Sequence, residues 1–181
     1  MSKDVWLNAT ADDAGDLILT GYAGDFKDMP VYEEVSSLFG YGSIALDFGC
    51  GIGRNSVALT DTYDKVIAFD LPSMINLVPE DNKLSSITYT TDWYYVKGLK
   101  FDTVLASLVF QHIEDAELNE YLNDISKMTD KIVIHSRTWI DHSETKVLPI
   151  LEKYFIMDSI EHTADPNNPI DDHFIAVMRT K

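Results

Sequence analysis

Short apolar runs recur along this chain, separated by polar stretches whose lengths suit strands alternating with helices. Strands are expected at 43–48, 65–70, 86–91, 101–107, 131–137, 154–161 and 173–180. Helical periodicity is plainest from Asp115 to about Thr129, where Leu118, Tyr121, Leu122, Ile125 and Met128 fall on one stripe. An earlier helix reads from Pro30 to Phe39: proline suits its first turn, Val31, Val35, Leu38 and Phe39 share a face, and Gly40 ends it. A later helical stretch is expected to start at Leu148 or to kink there, because Pro149 cannot donate to the ladder. The last two strands leave no room for a helix between them. The loop from His162 to Asp172, with Asp165-Pro166-Asn167-Asn168-Pro169, therefore joins them as an antiparallel pair. Alternating strands and helices make this an α/β chain.

One connection stands apart. Ile44-Ala45-Leu46 runs into Asp47-Phe48-Gly49-Cys50-Gly51-Ile52-Gly53, with glycine at every second position, and Arg54-Asn55-Ser56-Val57-Ala58-Leu59 then reads as the start of a helix. A buried strand that ends in such a turn lets a ligand approach the backbone, where any side chain would fill its space. The next apolar run, Lys65-Val66-Ile67-Ala68-Phe69, ends at Asp70, 21 positions after Gly49. An acid at that distance is where a nucleoside-binding βαβ unit holds a ribose diol. Dinucleotide-binding turns carry a small residue where this chain has the bulky Arg54, which disfavours an NAD(P)-linked oxidoreductase.

The stretch ALDFGCGIGRNSVAL resembles the first motif of the class I S-adenosylmethionine (SAM) methyltransferases, VIAFDLPSMI their second, and FDTVLASLVFQHI the strand and loop that close the donor pocket. Together these cover roughly residues 43 to 113 in the family's order. The resemblance implies a doubly wound, Rossmann-like seven-stranded sheet of order 3-2-1-4-5-7-6 with an antiparallel last strand. It implies one methyltransferase domain over 1–181, with a SAM-binding core at 43–181 and a substrate-side capping segment at 1–42. It also implies the activity: in-line displacement of a methyl group from SAM, for which positioning supplies most of the rate and no metal is required.

Composition narrows the setting. A chain of 181 residues, 45% of them hydrophobic, suits one domain with a real core. No stretch reaches the ~18–20 consecutive apolar residues of a membrane helix, and Met1-Ser2-Lys3-Asp4 does not open a secretory signal. The single cysteine, Cys50, sits inside the glycine turn, so a reduced cytoplasmic setting is expected. The formal charge is −16. Residues 114–124 carry Glu114, Asp115, Glu117, Glu120 and Asp124 with no lysine or arginine, and 158–172 are similar. Such a surface repels phosphate backbones and anionic lipid, so neither nucleic acid nor a membrane is an expected partner. A small-molecule acceptor is, while the oligomeric state is not written in the sequence.

Individual residues follow. Gly49, Gly51 and Gly53 form the donor-binding turn, or else a plain tight connection. Asp47 orients the methionine end of the donor or holds the turn. Asp70 is the ribose acceptor or a helix N-cap, with Leu71 beside it. The resemblance adds Asp92 for the adenine amino group, Trp93 beside the ring and Ser107 at the end of the fourth strand. His112, just after that strand, is the candidate catalytic residue, taking a proton from the acceptor or orienting it, or packing in the core. Arg137, His135 and Trp139 fall at the end of the fifth strand, near the same cleft, and Tyr94 and Tyr95 carry aromatic surface suited to stacking. No insertion long enough for a lid interrupts the core, so acceptor selection falls to the first ~40 residues, the Trp93 region, the loop after His112 and the stretch from Ser136 to Ser143. Ser107-Leu108-Val109-Phe110 replaces the Asn/Asp-Pro-Pro-Tyr/Phe motif of exocyclic-amine base methylators. A protein or RNA methyltransferase and a non-catalytic SAM-binding module remain as alternative readings.

Overall fold

Seven strands form one sheet in the order β3-β2-β1-β4-β5-β7-β6 in this computed structural model, which describes residues 3–10, 33–138, 143–163 and 173–181. β1 (Gly42–Phe48) lies between β2 (Tyr63–Phe69) and β4 (Thr103–Ser107), parallel to both, with Asp47 level with Ala68 on one side and Leu105 on the other. β3 (Ile87–Thr90) extends the parallel set beyond β2, and β5 (Lys131–Arg137) extends it beyond β4. β7 (His173–Thr180) runs antiparallel to both β5 and β6 (Phe155–Thr163), as the short final connection requires.

Alternation along each strand divides the core into two layers. Leu46, Phe48, Ile67, Val104, Ala106, Ile132 and Ile134 face the helices Asp115–Ile125 and Ser143–Leu151. Ala45, Val66, Ala68, Leu105 and Val133 face the other way, where Val35, Phe39 and Leu59 cover them. A sheet buried on both faces leaves only the strand ends and edges for a ligand, and strand order reverses between β1 and β4.

Element boundaries differ from the periodicity where side chains take over backbone roles. The fourth strand starts at Thr103 rather than 101, because the Asp102 carboxylate accepts the N–H groups of Ser43 (2.6 Å) and Ile44 (2.9 Å) in place of a ladder carbonyl. Phe101 pairs only as an isolated bridge with Thr129. The long helix ends at Ile125, four residues early, and its stripe continues through a turn that keeps Met128 buried. The helix expected from Leu148 begins at Ser143 and carries Pro149 in its interior. The bond that Pro149 cannot make is outweighed by burial of Val147, Ile150 and Leu151, and the ladder resumes with Glu152 donating to Leu148 at 2.9 Å. Of the helix expected from Pro30, Glu33–Ser36 is described, and Gly40 follows with φ +80°. Pro30, Val31, Trp139 and the proline-rich loop 164–172 lie outside the described residues.

Candidate functional site

The glycine turn is pinned to the end of β2. Gly49 and Cys50 both donate to the Phe69 carbonyl (2.8 and 3.1 Å), Gly51 donates to Asp70 Oδ2 at 2.6 Å, and Gly53 donates to the Cys50 carbonyl at 2.9 Å. Two of the glycines are needed for close packing. A Cβ on Gly49 would fall 2.6 Å from Val109 Cβ, and one on Gly53 would run into the Tyr89 hydroxyl. Gly51 is different. Its φ is +56°, and a Cβ there would meet nothing nearer than Met74 Cε at 4.0 Å. The middle of the turn therefore faces open space, and its left-handed backbone keeps a side chain out of it.

That space is a cavity of about 210 Å³ beyond the C-terminal ends of β1, β2 and β4. Gly49, Gly51, Asp70, Leu71, Ser107 and His112 all line it. Asp47 and Gly53 do not. Asp47 lies just beneath, fully buried, with Ser56 Oγ donating to its Oδ2 at 2.6 Å while Oδ1 has no hydrogen-bond partner. Burial pushes the Asp47 carboxyl up to about 7, and Ser56 and Arg54 only partly offset this. Asp70 is pushed up to about 6, again by burial, against the pull of the Gly51 and Leu71 N–H groups. Its two oxygens each take one of those donors, at 2.6 Å. A carboxylate offers about four acceptor positions, so each oxygen retains capacity for a ligand hydroxyl.

The structure does not bring Asp92 and Trp93 onto this cavity wall. Asp92 caps the helix Trp93–Val96, its Oδ1 accepting from the Tyr94 and Tyr95 N–H groups at 2.9 and 3.1 Å. Trp93 packs edge-on against Phe48 and Tyr121 and donates from Nε1 to Asp124 Oδ2 at 3.1 Å. Both residues thus have local work that a sequence pattern does not distinguish from ligand contact. Tyr94 is exposed and carries Lys97 Nζ 4.8 Å above its ring. Cys50 is buried, and burial drives its thiol far up, so it serves as a small residue of the turn.

Other wall residues were not singled out by sequence. Trp6, on the helix Lys3–Leu7, reaches the cavity with its ring centroid 5.5 Å from that of His112, and Ser73 Oγ donates to the Trp6 carbonyl at 2.6 Å. Glu117 and Tyr121 enter from the helix Asp115–Ile125, and Gln111 from the turn after β4. Leu108 has φ +57°, rare for a branched residue, and is held there by donating to the His135 carbonyl at 2.7 Å. Strain of this kind collects at ligand sites. Ser107 Oγ lies 2.9 Å from His135 Nδ1, and burial lowers His135 to about 3, so the imidazole beneath Ser107 stays neutral. Arg137, which the sequence places near the cleft, does line the cavity, as does Arg54; they are two of the chain's three arginines.

A family model described as a methyltransferase domain matches residues 45–131. The fold is similar to that of the N-methyltransferase NodS from Bradyrhizobium japonicum WM9 in complex with S-adenosyl-L-homocysteine, with 18% identity and a TM-score of 0.71 over 93% of this chain and 99% of that one. Magnesium protoporphyrin IX methyltransferase from Synechocystis PCC 6803 with bound S-adenosyl-L-homocysteine aligns over 97% of this chain and 96% of its own, with 15% identity and a TM-score of 0.69. A TehB-like SAM-dependent methyltransferase from Corynebacterium glutamicum aligns over 78% and 82%, with 18% identity and a TM-score of 0.63. No protein of curated function matches the sequence. In sheet order, and over residues 45–131, the chain is thus similar to SAM-dependent methyltransferases.

Proposed function

We propose that this enzyme transfers the methyl group of SAM to a small-molecule acceptor held at the His112 side of the cavity. The observation that carries the reading is the open middle of the glycine turn facing Asp70 across the ends of β1 and β2. A nucleoside fits there for two reasons: Gly51 leaves room at the backbone, and Asp70 retains acceptor positions for a diol. Leu71, Phe48 and Phe69 offer apolar wall for the base, and the buried charge of Asp47 lies on the side suited to the cationic methionine end. When bound, SAM supplies a methyl group already activated by its positive sulfur. Gly49, Gly51 and Gly53 shape the donor's seat, Asp70 and Leu71 hold its nucleoside, and Ser107 borders it at the end of β4. Asp92 and Trp93, occupied as cap and packing residue, stay outside the set on which this rests.

The protein's part in displacement is alignment. Reacting atoms held about 3–3.5 Å apart and in line gain much of the rate from pre-organisation alone. Trp6 and His112, in ring contact, bound the side left for the acceptor, which suits a small molecule better than a polymer. Among the described residues no helix is long and apolar enough to cross a membrane. The buried Cys50 suits a reducing compartment such as the cytoplasm.

Titration calorimetry with SAM, S-adenosylhomocysteine and NAD(H) tests the donor site. Micromolar binding of the first two and none of the third is expected, and the reverse pattern would overturn the reading. The charge of −16 gives a second expected result: RNA and DNA show no mobility shift with this protein at physiological salt. A salt-sensitive shift would point instead to a nucleic-acid acceptor.

A further inference from the structure

Gln111 and His112 are consecutive in the turn Phe110–His112 after β4, and Gln111 is 3% exposed. Its Oε1 accepts Ser136 Oγ–H at 2.9 Å and the Arg137 backbone N–H at 3.0 Å. A backbone N–H can only donate, so the atom it meets is the amide oxygen. The orientation of the amide is thereby settled by β5, independently of His112. Its NH2 group then stands 3.1 Å from His112 Nε2. An amide NH2 can only donate, so the imidazole nitrogen must accept, and the neutral ring carries its proton on Nδ1. An imidazolium would set one N–H against another.

We propose that Gln111 is a positioning residue that holds His112 neutral, with the proton on Nδ1 and the Nε2 lone pair engaged. Among the described residues, charged groups of both signs surround the ring. Asp70 and Glu117 line the same cavity, but so do Arg54 and Arg137. On the helices packed beside the turn, Asp115 pairs with Lys146 at 3.4 Å, and Lys146 Nζ donates to the Ile113 carbonyl at 3.0 Å. His135 on β5 is held neutral by its burial. The consequence for turnover rests on the placement of the acceptor proposed above: with its Nε2 lone pair engaged by Gln111, His112 does not take the acceptor's proton through that nitrogen.

Long-range proton–nitrogen correlation spectra of histidine-labelled protein test this with no ligand present. The His112 signals are assigned by their loss in His112→Ala. The wild type is expected to show the Nδ1–H tautomer at pH 7. Gln111→Glu keeps an oxygen for Ser136 and Arg137 but turns a second oxygen toward His112. The ring should then become the Nε2–H form or the imidazolium, with its titration moved up by about one pH unit or more. An Nε2–H tautomer in the wild type would overturn the proposal. So would an unchanged tautomer and titration in a Gln111→Glu protein whose melting shows it to be folded. Turnover is a separate arm, using an acceptor drawn from a panel of small amines, phenols and carboxylates. Equal methylation by wild type and folded His112→Ala would remove His112 from the acceptor side and leave the tautomer result standing.

Discussion

Raising the pH from 4 to 8 is expected to weaken the ligand-free protein by about 4 kcal/mol through Asp47 alone. The unfolded chain ionises this carboxyl at its ordinary 3.8 and the folded chain at about 7, because the side chain is fully buried. Between those values the folded state holds a proton that the unfolded state has released, so every rise in pH favours unfolding. At roughly 1.4 kcal/mol per pH unit across the window, the penalty is absent below about 4 and complete above about 7. Asp70, pushed up to about 6, adds a smaller loss of the same sign that is complete about one pH unit earlier. Urea unfolding from pH 4 to 8 reads these losses together with an opposite gain from His135, whose lowered value makes stability rise between about pH 4 and 6.5. The difference between wild type and Asp47→Asn isolates the Asp47 part. The amide keeps an oxygen for Ser56 and cannot ionise, so the variant should match the wild type near pH 4 and exceed it at pH 8. Equal stability of the two at both ends would mean that the carboxyl is solvated in the empty protein. The same variant should bind SAM more weakly, since it lacks the buried negative charge that a cationic donor meets. On the proposed reading, the native residue trades stability of the empty fold for affinity.

What the sequence made legible was local or enforced by burial. Two of the alternating glycines and the acid ending the next strand, Gly49, Gly51 and Asp70, do meet at one cavity, because a βαβ unit leaves little freedom in how its strand ends are placed. The antiparallel final pair followed from a connection too short for a helix. The less legible features depend on partners distant in sequence. Asp92 reads equally as a cap or an adenine ligand, and nothing nearby reveals that Trp93 is held by Asp124 and wedged against Phe48 and Tyr121. Gln111 looks like an ordinary polar neighbour of His112 until β5 aligns its amide. Trp6 lies 106 positions before His112, and only the packing of its short helix brings the rings together. Helix Ser143–Leu151 defied its internal proline because tertiary burial outweighed one missing bond.

Replacing Asp70 with alanine is expected to cost about 10- to 100-fold in donor affinity at pH 8 while leaving a folded protein. Charge-assisted hydrogen bonds to a ribose diol are worth roughly 1.5–3 kcal/mol, which sets that range. The variant also strands the Gly51 and Leu71 N–H groups that the carboxylate now accepts, at roughly 1–3 kcal/mol. Against that, alanine abolishes the cost of keeping Asp70 ionised in a buried site, about 3 kcal/mol at pH 8 for a carboxyl raised from 3.8 to about 6. The two nearly cancel, so thermal melting should change little while calorimetry with SAM and S-adenosylhomocysteine shows the loss. The pH dependence separates the charged contact from simple shape. Wild-type affinity should fall as pH drops through about 6, where Asp70 takes up its proton, and the alanine variant should lose the part of that fall due to Asp70. Unchanged affinity in folded Asp70→Ala, or the same acid fall in both proteins, would mean that the nucleoside is held elsewhere on the cavity wall.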